Sequence, residues 1–429
     1  MPQRLPRRAD RPESAALARL SAISLFARGF VFFRRLLADP DYRVLLLGNV
    51  LVGVAYSFVV PFMSLFGTRE VGLRPVPFSL FMTATSLGAI VCSTVLARWS
   101  DARLARRTVL LVGAVAGCLG YLGYAFVRDV TWLTLVGVFV LGLGSVTFSQ
   151  LFAYARDLFG RRGVSAHEIP LYMNVFRLFF ALSWTVGPAI AAWVMRSAGF
   201  RGLFLVAASF LGLFALLIAG FVPHIPPSES ARAAARGMPL SRALRAPGLL
   251  VHFAAFVLYF ACSSMGMMNL PLLLLGPLGG TEHDVGIAYS VAPFFELPLM
   301  LWAGVLATRL GSRRLIQGVF VLAIVYYALL AGVRAPWHVY PVQVLSAAIV
   351  AVTSGIAITF FQDFLPNQPG SATNLYSNAQ RIGSTTGYLC LGWLTEAAGT
   401  RGVFVVCACG AACAAALLVA HSARRPAAI

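Results

Sequence analysis

Three ionisable side chains interrupt stretches that are otherwise apolar, and they have the means to move a proton or grip a polar solute. Glu296 falls about midway along the run 284–308. Low dielectric penalises the charged form of a carboxyl group, so at that depth it is a candidate for proton coupling, for accepting hydrogen bonds from a solute, or for both. Arg177 and Arg381 fall about seven and nine residues into the runs 170–195 and 372–395, roughly 10–14 Å deep at the helical rise. An ionisable group inside a membrane is costly and reads as functional by default. Two blander roles compete: an arginine that snorkels back to the interface, and a Glu296 that only pairs with Arg177.

The arginines belong to a repeat. Tyr172-x-Asn174-x-x-Arg177 precedes Gly199-x-Arg201-Gly202-Leu203-Phe204, and Tyr376-x-Asn378-x-x-Arg381 precedes Gly399-x-Arg401-Gly402-Val403-Phe404. The copies are 204 positions apart at the arginine (381 − 177) and 200 at the glycine (399 − 199). Asp101 with Arg106 and Arg107 aligns with Thr308 followed by Arg313 and Arg314. Phe148-Ser149-Gln150 echoes Phe360-Phe361-Gln362. Two equivalent halves with a few interior charges form the pattern of a secondary transporter.

The elements that position these residues follow from hydropathy. The chain is 59% hydrophobic and 11% charged, too apolar for a soluble domain of this length. Twelve apolar segments of roughly 20–27 residues, each enough to cross ~30 Å as a helix, run 43–67, 77–98, 107–127, 131–155, 170–195, 201–222, 249–275, 284–308, 314–334, 337–362, 372–395 and 401–421. They are too long for barrel strands, so the expected fold is all-α, with twelve transmembrane helices in two pseudo-symmetric six-helix bundles. The expected division is a basic tail with an interfacial helix over 1–42, a first bundle over 43–222, a proline- and arginine-bearing linker over 223–248, a second bundle over 249–421, and a tail over 422–429.

The formal charge of +19 is explained by orientation and needs no nucleic acid. With the N-terminus inside, 25 arginines fall in inner segments and seven in outer loops, which puts both termini in the cytoplasm. The chain has no lysine, so it lacks the lysine of a Walker A phosphate loop. The seven cysteines lie within apolar runs and the six histidines are dispersed, with no metal spacing and no nucleophile–base pair. No enzyme activity, metal or cofactor is expected.

Two six-helix halves, a long central loop and Leu96-Ala97-Arg98-Trp99-Ser100-Asp101 between the second and third helices resemble the major facilitator superfamily over 43–421. Ser183-Trp184-Thr185-Val186-Gly187-Pro188 is similar to a signature of its efflux members. Pro61-Phe62-Met63-Ser64-Leu65-Phe66, Glu296-Leu297-Pro298-Leu299-Met300, Phe361-Gln362-Asp363 and Pro369-Gly370-Ser371-Ala372-Thr373-Asn374-Leu375-Tyr376 resemble the bacterial sugar efflux transporters. Ala97 and Leu104 stand where the superfamily loop has glycines, and Thr308 where its second copy has an acid. The resemblance implies a monomeric, multi-pass protein of the bacterial cytoplasmic membrane that exports a sugar or glycoside-like solute in antiport with protons. Multidrug efflux on the same fold and a non-transporting sensor or scaffold are the alternatives.

A sugar is held by carboxylates, amides, guanidinium groups and aromatic faces. The expected substrate or coupling residues are therefore Glu296, Arg177, Arg381, Tyr56, Trp184, Asn49, Gln150, Gln362 and Asn378. Phe62, Phe294 and Phe295 are further aromatic candidates, and each amide could equally bridge helices. The helix neighbours implied by the resemblance make Asp101 a partner for Arg381. These two, with Arg106 and Arg107, are the expected gate, closed on that side when the cavity faces outward.

Overall fold

The computed structural model describes residues 38–102, 105–165, 168–223, 248–365 and 369–423. The expected interfacial helix, nearly all of the linker and residues 424–429 lie outside that set. So do the side chains of 97–104, and with them Asp101.

Among the described residues every long element is a helix. The first half contains α1 (Pro40–Glu70), α2 (Pro75–Ala102), α3 (Arg106–Phe126) and α4 (Val130–Arg161). The helical run Ile169–Phe221 follows, 53 residues that as one straight helix would be about 80 Å long, more than twice a bilayer's hydrocarbon core. Gly199 breaks it with φ 62° and ψ −167°, backbone that only glycine adopts readily, giving α5 (169–198) and α6 (200–221). The second half has α7 (Leu249–Leu275), α8 (Glu282–Leu310), α9 (Ser312–Gly332) and α10 (Val339–Phe364). A 55-residue helix then breaks at Gly399 (φ 67°, ψ 176°) into α11 (369–398) and α12 (400–423). The repeated glycine of the sequence is thus the turn between the last two spans of each half.

Each half packs its first helix against its fifth. In the first, Asn49 Nδ2 of α1 donates to the Phe176 carbonyl of α5 at 2.6 Å, and Ser57 Oγ to the Ser183 carbonyl at 3.3 Å. In the second, Ser264 Oγ of α7 donates to the Ser384 carbonyl of α11 at 3.3 Å. Aromatic clusters fill both interiors. Phe66 meets Phe204 at 4.7 Å in the first, and Tyr259 stacks on Phe320 at 4.9 Å in the second.

The most extensive contacts between the halves are made by two helix pairs, α2 with α11 and α5 with α8. The α2–α11 seam carries a serine every seventh residue, two helical turns apart. The Gly392 amide donates to Ser79 Oγ at 2.5 Å, Ser86 Oγ meets Thr385 Oγ1 at 2.7 Å, and Arg381 Nη1 donates to Ser93 Oγ at 3.0 Å.

Arg106 and Arg107, both expected in the gate, are engaged within the first half. Arg106 Nε pairs with Asp157 Oδ2 of α4 at 2.5 Å and its Nη1 reaches Gln150 Oε1 at 3.2 Å. Arg107 donates to the Ile218 and Ala219 carbonyls at the end of α6. The Arg106 and Asp157 side chains are only 10% and 12% exposed. Breaking such a pair leaves a buried charge uncompensated, at a cost of about 3–5 kcal/mol. Asp157→Ala is therefore expected to lower the thermal unfolding midpoint of the purified protein by several degrees, and Asp157→Glu by much less. Equal midpoints in scanning fluorimetry would contradict this role.

Candidate functional site

Between the halves lies a cavity of about 630 Å³. It is shut on the face opposite the chain ends. There Arg69 Nη2 at the end of α1 donates to the Leu275 carbonyl of α7 at 2.7 Å, and the Gly392–Ser79 bond closes α2 on α11. Gly286 of α8 lies so close to α5 that a β-carbon on it would be 2.8 Å from the Pro188 oxygen. Toward the face carrying the chain ends, the walls run down past Phe152 of α4, Arg177 of α5, Ile358 of α10 and Thr373 and Ser377 of α11. Among the described residues the cavity is therefore closed on one face and open toward the other.

The two halves furnish different walls. The first contributes Phe148, Phe152, Phe180, Ala181, Trp184 and Arg177, an aromatic surface with one cation. The second contributes Glu296 and most of the polar groups. Tyr326 OH donates to Gln343 Oε1 at 3.3 Å. Tyr289 OH donates to the Met267 carbonyl, and Tyr376 OH to the Thr353 carbonyl at 2.8 Å. Ser346, Ser354, Ser377 and Gln380 also line the space.

Glu296 sits fourteen residues into the 29-residue α8, between Pro293 and Pro298, and faces this cavity. It makes no hydrogen bond or ion pair among the described residues, so the bland pairing with Arg177 is not formed in this conformation. Arg177 is exposed on the cavity wall. Trp184 lines the same space, and its buried indole N–H has no partner among the described residues.

The other expected site residues lie elsewhere. Arg381 bonds to Ser93 in the seam and is absent from the lining. The reason is the four-residue slip between the repeats. Counted from the glycine hinges, Ser377 occupies the position of Arg177 (377 − 200) and Gln380 that of Phe180 (380 − 200), and all four line the cavity. Arg381 is one turn nearer its hinge than Arg177 and rotated by about 40°. Asn49 bridges α1 to α5, Gln150 serves Arg106, Tyr56 OH reaches the Gly144 carbonyl at 3.4 Å, and Gln362 Nε2 reaches Thr373 Oγ1 at 3.4 Å. None of these, nor Asn378, is in the lining. Phe62 is fully buried, while Phe294 and Phe295 are 58% and 38% exposed and also outside the lining.

The residues not anticipated are the tyrosines 259, 289, 326, 327 and 376, together with Gln380 and serines 346, 354 and 377. A signal for the tyrosines was present. Membrane tyrosines concentrate at the interfaces, whereas Tyr259 and the Tyr326-Tyr327 pair fall well inside their spans.

Twelve spans among the described residues, in two like bundles with a cavity between them that is closed at one face, define a multi-pass membrane transporter and not an enzyme. The model of the Major Facilitator Superfamily matches residues 45–387 and again 252–428, and the chain belongs to that family. It is 36% identical over 375 residues to a Deinococcus radiodurans protein provisionally named a sugar efflux transporter, covering 86% of this chain and 95% of that one. It is 33% identical over 349 residues to sugar efflux transporter A of Dickeya chrysanthemi, covering 81% and 87% respectively. Among solved structures, the nucleoside transporter NupG superposes with a TM-score of 0.74 at 14% identity, over 88% of this chain and 98% of that one. At that identity the likeness speaks for the fold alone.

Proposed function

We propose that the chain exports a sugar or glycoside-like solute by alternating access, in exchange for protons, and that Glu296 carries the coupling. The observation behind this reading is the Glu296 carboxyl group, unpaired midway along α8 and facing a cavity ringed by hydroxyls, amides and aromatic faces. The relatives named for sugar efflux supply the substrate class. The arginine asymmetry supports cytoplasmic termini, so the open mouth is the one from which an exporter loads. In this reading the chain works as a monomer in the bacterial cytoplasmic membrane. Solute enters between α4–α5 and α10–α11, and the halves rock until the outer seal opens.

A second reading, multidrug efflux, draws on the apolar wall of Phe148, Phe152 and Phe180 with Met267 and Met300. It also draws on 26% identity over 306 residues to the multi-drug resistance efflux pump PmrA of Streptococcus pneumoniae. Counterflow in proteoliposomes separates the two. The sugar reading expects exchange of labelled mono- or disaccharide, competed by glycosides and indifferent to lipophilic cations; the reverse pattern would transfer the assignment to drug efflux. In the same assay, Trp184→Ala is expected to raise the half-saturating sugar concentration by about tenfold, the scale of one lost ring contact. Trp184→Phe, which keeps an aromatic face, should change it far less. Equal effects of the two substitutions would remove the ring-stacking role.

A further inference from the structure

A second concavity, of about 670 Å³, lies on the flank of the first half, where the ends of α1, α3, α4 and α6 meet on the open-mouth face. It shares no lining residue with the transport cavity. Arg107, Arg161 and Arg162 line it, opposed by one carboxylate, Asp41. Among its lining residues the arginines thus outnumber the carboxylate. Arg107 is anchored through Nε and Nη2 on the last carbonyls of α6, and Arg162 through Nη2 on Asp41. A guanidinium carries five N–H donors in a rigid fork, so these anchors orient the groups and still leave donors for a ligand.

The remaining wall is apolar. Phe221, at the rim, is 70% exposed, and α6 continues away from the recess with Leu216 and Leu213 exposed at 69% and 52%. In a spanning helix such a surface is covered by acyl chains. A cationic recess thus terminates an acyl-facing stripe at the end of the spans, where lipid phosphates lie. Basic pockets between helix ends recognise acidic headgroups through charge-assisted, forked hydrogen bonds to phosphate oxygens.

We propose that this recess binds the phosphate headgroup of an anionic phospholipid, with its acyl chains lying along Phe221, Leu216 and Leu213. Free phosphate offers the same headgroup chemistry, and the apolar stripe favours the lipid. The full-length protein, purified and delipidated in detergent, can be titrated with phosphatidylglycerol or phosphatidylcholine of matched chains and followed by native mass spectrometry. Phosphatidylglycerol is expected to bind at least about tenfold more tightly than phosphatidylcholine. Arg161→Gln/Arg162→Gln should weaken it by roughly 30-fold, the scale of two interfacial arginines. Arg309→Gln, an exposed arginine on the same face of the other half, should leave it within about twofold. Because the double substitution also removes the Asp41 pairing, a photoactivatable phosphatidylglycerol on the unaltered protein provides an arm free of folding effects, and it should label 213–223. Equal affinity for both lipids, an equal loss in Arg309→Gln, or labelling confined to other segments would overturn the proposal. So would full displacement of phosphatidylglycerol by millimolar inorganic phosphate, which would make this a site for a free anion.

Discussion

Glu296→Gln is expected to abolish uphill export while preserving exchange. Glutamine keeps the shape of the side chain and a carbonyl oxygen for a solute hydroxyl, and it cannot take up or release a proton. If the carboxyl group carries the coupling, proteoliposomes with an imposed pH gradient should lose at least about tenfold in accumulated sugar. Counterflow with sugar on both sides needs no proton and should stay within about threefold, the scale of one altered hydrogen bond. The expectation rests on Glu296 having no partner among the described residues in this conformation. A carboxyl group fixed in an ion pair would instead leave a stranded charge on removal and depress both assays together. Undiminished uphill transport in the substituted protein would exclude Glu296 as the coupling group and return the question to Arg177 and to the driving ion.

Gly392→Val is expected to trap the protein with its sealed mouth forced open. A β-carbon at this position would lie 2.7 Å from Ser79 Oγ and from the carbonyl carbon of Pro75, so the seam cannot close around a branched side chain. Overpacking of this kind costs about 1–3 kcal/mol. Levied on only one of two conformations, that amount shifts their ratio by roughly 5–150-fold. Spin labels at Arg74 and Ala397, at the sealed-face ends of α2 and α11, should report a longer distance in the substituted protein, and transport should fall with it. An unchanged distance distribution would show that this contact does not report the state of the sealed mouth.

The fold was legible because lipid leaves few choices. Runs too long for strands must be helices, and the repeated Gly-x-Arg-Gly marked the same hinge in both halves. The cavity was legible only in part. Glu296, Trp184 and Arg177 were found because their cost or bulk in a span is conspicuous. Arg381 carries the same signature as Arg177 and lies in the seam, since a difference of four in spacing is small in sequence and amounts to a turn and 40° in space. Asn49 and Gln150 are amides within spans, and both are consumed by packing: a backbone carbonyl takes one and Arg106 the other. Sequence shows that a polar group is present in a helix. Which neighbour it faces depends on packing angles that no local pattern encodes.

The unequal walls of the cavity have a consequence for how such a protein changes its diet. One half presents little but rings and a lone cation, and the other holds nearly all the hydroxyls and amides that could tell one cargo from another. Drift toward new cargo should therefore accumulate in residues 249–398, and a chimera that inherits this part from a relative should inherit that relative's tastes along with it.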